Sequence, residues 1–220
     1  MRGRKSPAEL ALMKEAVKET LKIFDEVTKY MKPGMTEIDI AKHVKKVYTE
    51  RGFETGWEED HCPAVFAGPN PNGPHEGPSD KVIKAGTVVN MDFGIKYKGY
   101  CSDLQRTWYI LKDGETKAPA PVQKGFDVIR DSIQKVADAV NPGVKGVDMD
   151  TIARSYITQN GYPEYIHGLG HQVGKTVHDG VAGMFPAWER YGNSPFIPLE
   201  EGQIFTIEPR LPIEGYGVAT

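Results

Sequence analysis

The chain has 220 residues, enough to bury a core in one large domain or two small ones without disulfide staples. Its 27 basic and 30 acidic residues leave a net charge of −3, which excludes a global positive field for nucleic acid or anionic membrane. A hydrophobic fraction of 39% beside 26% charged residues describes a folded globule, and no apolar run reaches the roughly 20 residues of a membrane helix.

The basic N-terminus, Met1 to Pro7, leads into an amphipathic helix without an apolar h-region, so no signal peptide is read and the cytoplasm is the expected address. Ser6 caps that helix, with Pro7 at its first position and Glu9 closing a capping box. Leu10, Met13, Val17, Leu21, Phe24 and Met31 recur at helical spacing until Pro33-Gly34 stops it. A second helix begins near Thr36 and turns Ile38, Ala41, Val44, Val47 and Tyr48 inward before Gly52. Cys62 and Cys101 stand in no CxxC spacing and fit free thiols in a reducing compartment. The segment from Gly68 to Ser79, rich in proline and glycine, reads as an extended loop.

Strand-like runs occupy Val82 to Ile95, Tyr100 to Leu111, the stretch around His167 to Val177, and Gln203 to Glu208. Residues 121–140 read as a further helix with Val122, Phe126, Ile129, Ile133, Val136 and Val140 on one stripe. Pro33, Gly34, Asp39 and Gly52 are matched by Pro142, Gly143, Asp148 and Gly161 at one offset of 109 residues, and Phe53 is matched by Tyr162. Pro-Gly after a helix is also ordinary punctuation, but the constant spacing favours two similar halves. Helices covering a curved, mainly antiparallel sheet is the α+β architecture expected.

Asp92 and Asp103 sit on two strands joined by a short turn. If the hairpin turns between Tyr97 and Lys98, the two aspartates lie directly opposite, with β-carbons ~4.5–5.5 Å apart. Val89, Met91 and Phe93 then form the apolar face, and a cation or a shared proton must offset the paired carboxylates. A register shifted by one or two residues leaves both as solvated surface aspartates. His167-Gly168-Leu169-Gly170-His171, with His178 close behind, is a dense cluster pointing to a metal or acid/base site, or else to core or surface histidines. Extended backbone there puts both end histidines on one side and leaves glycines where substrate or backbone approaches closely. Glu208 ends an apolar strand that Pro209 terminates. Asp92, Asp103, His171 and Glu208 together form a hard donor set able to hold two divalent ions and activate a bridging water.

These residues resemble the pita-bread metallopeptidases, the family of methionine aminopeptidases, Xaa-Pro aminopeptidases and Xaa-Pro dipeptidases (prolidases). The likeness rests on Asp92-Phe93-Gly94, on Gly99 to Thr107 with Asp103, on the His-Gly-Leu-Gly-His segment, on Glu208-Pro209 and on Pro74-His75-Glu76. It implies a pita-bread fold, with Asp92 binding one metal, Asp103 bridging both, and His171 and Glu208 holding the other. It further implies that His75 and His178 contact substrate and stabilise the tetrahedral intermediate, that His167 lines the specificity pocket, and that Glu208 shuttles a proton. The context of His167, His171 and Val177-His178-Asp179 resembles the Xaa-Pro branch. The implied activity is hydrolysis of the Xaa-Pro bond at the N-terminus of short peptides or dipeptides, with two divalent ions drawn from Mn, Co, Fe or Zn.

Peptides are then the partners, without nucleic acid or membrane, and a homodimer is open to it. A methionine aminopeptidase and a non-catalytic peptide- or protein-binding relative are the alternative readings. No Walker or GxGxxG pattern points to a nucleotide. The family's fifth ligand, a glutamate beyond the turn Glu214 to Gly217, is not reached before Thr220. Residues 1–220 are therefore expected to be one catalytic domain truncated at its C-terminus, without a separate N-terminal domain. Low activity and about one metal per chain are the expectations, together with loss of a strand partnering the Glu208 segment.

Overall fold

The computed structural model describes residues 3–69 and 77–220. In chain order it contains α1 (Pro7–Tyr30), α2 (Glu37–Glu50), β1 (Glu54–Thr55), β2 (Ala64–Ala67), β3 (Val88–Phe93), β4 (Ile95–Tyr97), β5 (Tyr100–Cys101) and β6 (Leu104–Tyr109). There follow α3 (Ala120–Ala139), α4 (Gly146–Gln159), β7 (Gly170–His171), β8 (Gly183–Met184), β9 (Leu211–Ile213) and β10 (Gly217–Ala219). Helices α1 and α2 begin with reciprocal capping boxes, Ser6 with Glu9 and Thr36 with Asp39, as their sequences require.

The duplication extends to the backbone. Helix α4 has the limits of α2 displaced by the same 109 residues, and Gly34 and Gly143 leave the preceding turns with φ 94° and 95°. Their N–H groups donate to Ile83 and Leu199 at 2.9 and 2.8 Å. The buried faces also correspond: α1 turns Met13, Ala16, Thr20, Ile23 and Val27 inward, and α3 turns Val122, Gly125, Ile129, Ser132 and Val136.

This corrects the expected stripes, since Val17, Leu21 and Phe126 lie on the outer side. Small residues decide the rotation. Thr20 Oγ1 shares a 2.7 Å hydrogen bond with Ser102 Oγ, and a Cβ on Gly125 would stand 2.8 Å from the Ile213 side chain. Close approach of helix to strand thus wins over matching the largest apolar residues.

The strands form short antiparallel sheets of order β2-β3-β6, β1-β4-β5, β10-β9 and β7-β8. The Gln203 to Glu208 run is extended backbone bonded alongside β7 rather than a full ladder strand. Near the C-terminus β10 pairs with β9. Among the described residues the core has one large cluster in each half, around Ile23, Ile40, Met91 and Phe93 and around Ile129, Ile157, Leu169 and Leu211, and a smaller one of Met13, Tyr100, Cys101 and Val173. Cys62 and Cys101 are buried free thiols. Among the described residues no helix is long and apolar enough to cross a membrane.

Candidate metal centre

The hairpin that carries the aspartates turns at Lys98-Gly99, both with positive φ (48° and 84°), and Tyr97 pairs with Tyr100. A two-residue turn of this kind requires left-handed backbone at both central positions, which Gly99 accepts without cost. The register is therefore two residues from the expected one. Asp92 faces Gln105, and Asp103 is not its direct partner. Because side chains alternate with period two, the shift keeps Asp92, Asp103 and Gln105 on the same face while replacing a facing carboxylate by an amide donor. Gln105 Nε2 donates to Asp92 Oδ2 at 3.0 Å and to Glu208 Oε2 at 3.2 Å.

The second half brings the other two groups. Residues 204–208 run beside β7, with Thr206 N–H donating to the His171 carbonyl at 2.9 Å and Glu208 N–H to the Leu169 carbonyl at 2.8 Å. Such proximity needs Gly170, where a Cβ would meet the Thr206 carbonyl oxygen at 2.0 Å. His171 Nε2 then lies 3.2 Å from Glu208 Oε1 and 3.5 Å from Asp103 Oδ2. Thr206 Oγ1 fixes both partners, accepting from the His171 N–H and donating to Glu208 Oε1 at 3.0 Å each.

The charge balance follows from this packing. Burial, then the charges of Asp103 and Glu208, hold the Asp92 carboxyl well above the usual carboxylate range. Burial and the Glu208 charge push Asp103 up to about 6 despite the nearby imidazole. Burial alone would lower His171, but the hydrogen bond and charge of Glu208, with Asp103 behind it, lift it to about 9. Glu208 is correspondingly held low by His171 and Thr206, against its own burial.

Among the described residues no three His, Cys, Asp or Glu side chains already stand spaced around a common ion. The His171 imidazole is turned onto carboxylates instead, and it must exchange that bond to act as a ligand. Donor chemistry and position nevertheless fit a hard divalent cation. Three carboxylates and one imidazole converge from both halves, and the buried Asp92 Oδ1 has no hydrogen-bond partner.

The cluster forms part of the lining of a cleft of about 920 Å³, which His167 and His178 also line. The His178 ring stands 4.0 Å from that of His171, and burial lowers the pKa of both His178 and His167. His75 lies outside the described residues. Sequence reasoning missed the groups that hold these histidines in place. Buried Asp150 on α4 accepts from Arg154 Nε and Nη2 at 2.8 and 2.9 Å and from the Leu169 N–H at 3.1 Å, while Arg154 donates to the Tyr165 and His167 carbonyls at 2.6 and 2.9 Å. The i, i+4 spacing of Asp150 and Arg154 on one helix was the available signal. Gln105 and Thr206 carried no signal apart from their places beside Asp103 and Glu208.

The family model described as metallopeptidase family M24 matches residues 11–220. An uncharacterized peptidase from Staphylococcus aureus (strain USA300) is 29% identical over 216 residues, 98% of this chain and 57% of that protein. Among solved structures, an X-Pro aminopeptidase from Thermotoga maritima MSB8 is similar at TM-score 0.85 and 28% identity, covering 100% of this chain and 58% of that one. An Xaa-Pro dipeptidase from Bacillus anthracis is similar at TM-score 0.85 and 28% identity, covering 99% and 57%. The chain thus spans about 57% of the length of the curated S. aureus relative. These likenesses bear out the α+β pita-bread fold expected from the motifs.

Proposed function

Since the chain belongs to metallopeptidase family M24, we propose that it is a metal-dependent exopeptidase cutting the Xaa-Pro bond at the N-terminus of short peptides or dipeptides. One observation carries the reading: Asp92, Asp103, His171 and Glu208 converge in one cleft from both halves, with Asp92 Oδ1 left without a partner. These four residues are the proposed ligands. A divalent cation bound there supplies Lewis acidity, polarising a carbonyl and lowering the pKa of water.

The chain's own groups supply positioning and proton transfer. The orientation of the Glu208 carboxylate is set by Thr206 and Gln105, and Glu208 is the group proposed to move a proton toward a leaving nitrogen. His178, kept neutral at physiological pH by burial and by the neighbouring imidazole, can donate to a developing oxyanion without adding a fixed positive charge. His167 faces the same cleft as a specificity residue, and His75 is a proposed substrate contact.

The test is hydrolysis by the metal-stripped chain reloaded with Mn²⁺ or Co²⁺, using Ala-Pro, Ala-Pro-Ala and Met-Ala peptides. Cleavage restricted to Xaa-Pro bonds, abolished in Asp103→Asn, is the expected result. Preference for Met-Ala would assign a methionine aminopeptidase instead. No cleavage of any peptide by chain shown to hold manganese would overturn the enzymatic reading.

A further inference from the structure

We propose that Arg210 is the receptor for a carboxylate of the substrate, so that the cleft grips a peptide by an anionic group one or two residues beyond the bond to be cut. This rests on the peptidase reading above and adds the charge of its substrate. The described lining of the cleft carries four carboxylates, Glu58, Asp92, Asp103 and Glu208, and a single lysine or arginine, Arg210. A cation so placed would ordinarily serve as the internal counter-ion of that acidic wall. It does not.

Glu208 is occupied by His171, Thr206 and Gln105. Among the described residues no carboxylate stands within ion-pair distance of Arg210 and no acceptor takes its N–H groups. Arg210 is half-buried and its guanidinium takes no partner from the described residues, which leaves a planar set of donors open to a ligand entering the cleft.

Position supports the same occupant. Arg210 follows Glu208 by two residues, and both line the cleft. Its root is fixed by buried Pro209 and by Leu211, the first residue of β9. Two residues of chain span at most about 7 Å between Cα atoms, so with the bond to be cut at the acid cluster the group within reach of Arg210 is the C-terminal carboxylate of a dipeptide or tripeptide, or an acidic side chain just after the proline. The planar guanidinium fork matches either carboxylate with two parallel hydrogen bonds.

The experiment compares Ala-Pro, Ala-Pro-amide and Ala-Pro-Glu-amide on the manganese-loaded wild type, Arg210→Met and Arg210→Lys. Binding of uncleaved Ala-Pro and Ala-Pro-amide to the metal-free chain is followed in parallel by calorimetry or NMR. For the wild type, kcat/KM for Ala-Pro is expected to exceed that for its amide at least tenfold, mostly through KM. The ratio should collapse toward one in Arg210→Met and survive in part in Arg210→Lys. Recovery of Ala-Pro-Glu-amide above Ala-Pro-amide assigns the receptor to side-chain carboxylates as well, whereas no recovery confines it to the free C-terminus. If the wild type cleaves acid and amide alike, or Arg210→Met keeps the ratio, the carboxylate receptor is wrong and the peptidase reading stands. If nothing is cleaved yet Ala-Pro binds better than its amide only when Arg210 is present, the receptor stands and the peptidase reading fails.

Discussion

Asp150→Ala is the most informative single change, because one buried side chain ties α4 to the backbone on both sides of His167. Asp150 is 1% exposed and Arg154 retains 11% side-chain exposure, so both charges have left water. Removing the carboxylate leaves the guanidinium with the Tyr165 and His167 carbonyls and the more distant, exposed Glu164 carboxylate at 3.8 Å, and it also deprives the Leu169 N–H of its acceptor at 3.1 Å. Breaking a buried pair by deleting one partner costs about 3–5 kcal/mol. For a chain of this size each kcal/mol is about 2–4 °C of Tm, so a fall of roughly 6–20 °C is expected in calorimetric melts. The control is Arg4→Ala, which breaks the Arg4–Glu200 pair, exposed by 68% and 46%, and should cost under about 1 kcal/mol. Asp150→Asn keeps an acceptor for Leu169 while losing the charge, and should fall between the two. The same segment orients His171 from behind, so Mn²⁺ affinity of Asp150→Ala is expected to drop by roughly 10–100-fold. An Asp150→Ala protein that melts with the Arg4→Ala control and binds manganese normally would refute the clamp.

The pH dependence of the metal-free chain follows from the same cluster. Asp103, raised to about 6, makes a contribution lost as pH climbs from about 4 through 6, and His171, raised to about 9, one that is full below about 6.5 and lost as pH climbs through 9. Glu208, held low, acts with the opposite sign and matters only at the acid end. Below about pH 6.5 the lowered His167 and His178 act against this trend, so melts in EDTA should show Tm falling between about pH 6.5 and 9, with Mn²⁺ stabilising more as pH rises, and a metal-free Tm that climbs over this range contradicts it.

Lys5→Met leaves the Asp179 carboxylate without its 3.5 Å partner, both side chains being 5% exposed or less, and should cost about 3–5 kcal/mol. Lys5→Met combined with Asp179→Asn should regain at least half, and a single variant as stable as wild type argues against the pair. Gly170→Ala drives a Cβ onto the Thr206 carbonyl and should cost about 3 kcal/mol or more together with manganese binding. Gly34→Ala, in open space with φ 94°, should cost only about 1–2 kcal/mol. Equal melts for the two glycine variants would mean that the His171 strand can yield.

Much of this architecture was legible along the chain because it depends on neighbours in sequence. The Ser6–Glu9 box, the positive-φ glycines after α1 and α3, and the repeat are local or periodic properties. The four converging side chains were legible as residue types in motif context. What sequence could not decide was which groups would meet across the fold. The turn at Lys98-Gly99 moved the hairpin by two residues and put Gln105 opposite Asp92. The inward face of α1 was set by how closely Ala16 and Thr20 let it approach Ser102, not by where its largest apolar residues fell. The Asp150–Arg154 and Lys5–Asp179 pairs acquire their roles only once folding has removed water from around them. Local conformational preference is written into adjacent residues, whereas register, helix rotation and the worth of a buried charge depend on what distant parts of the chain bring against it.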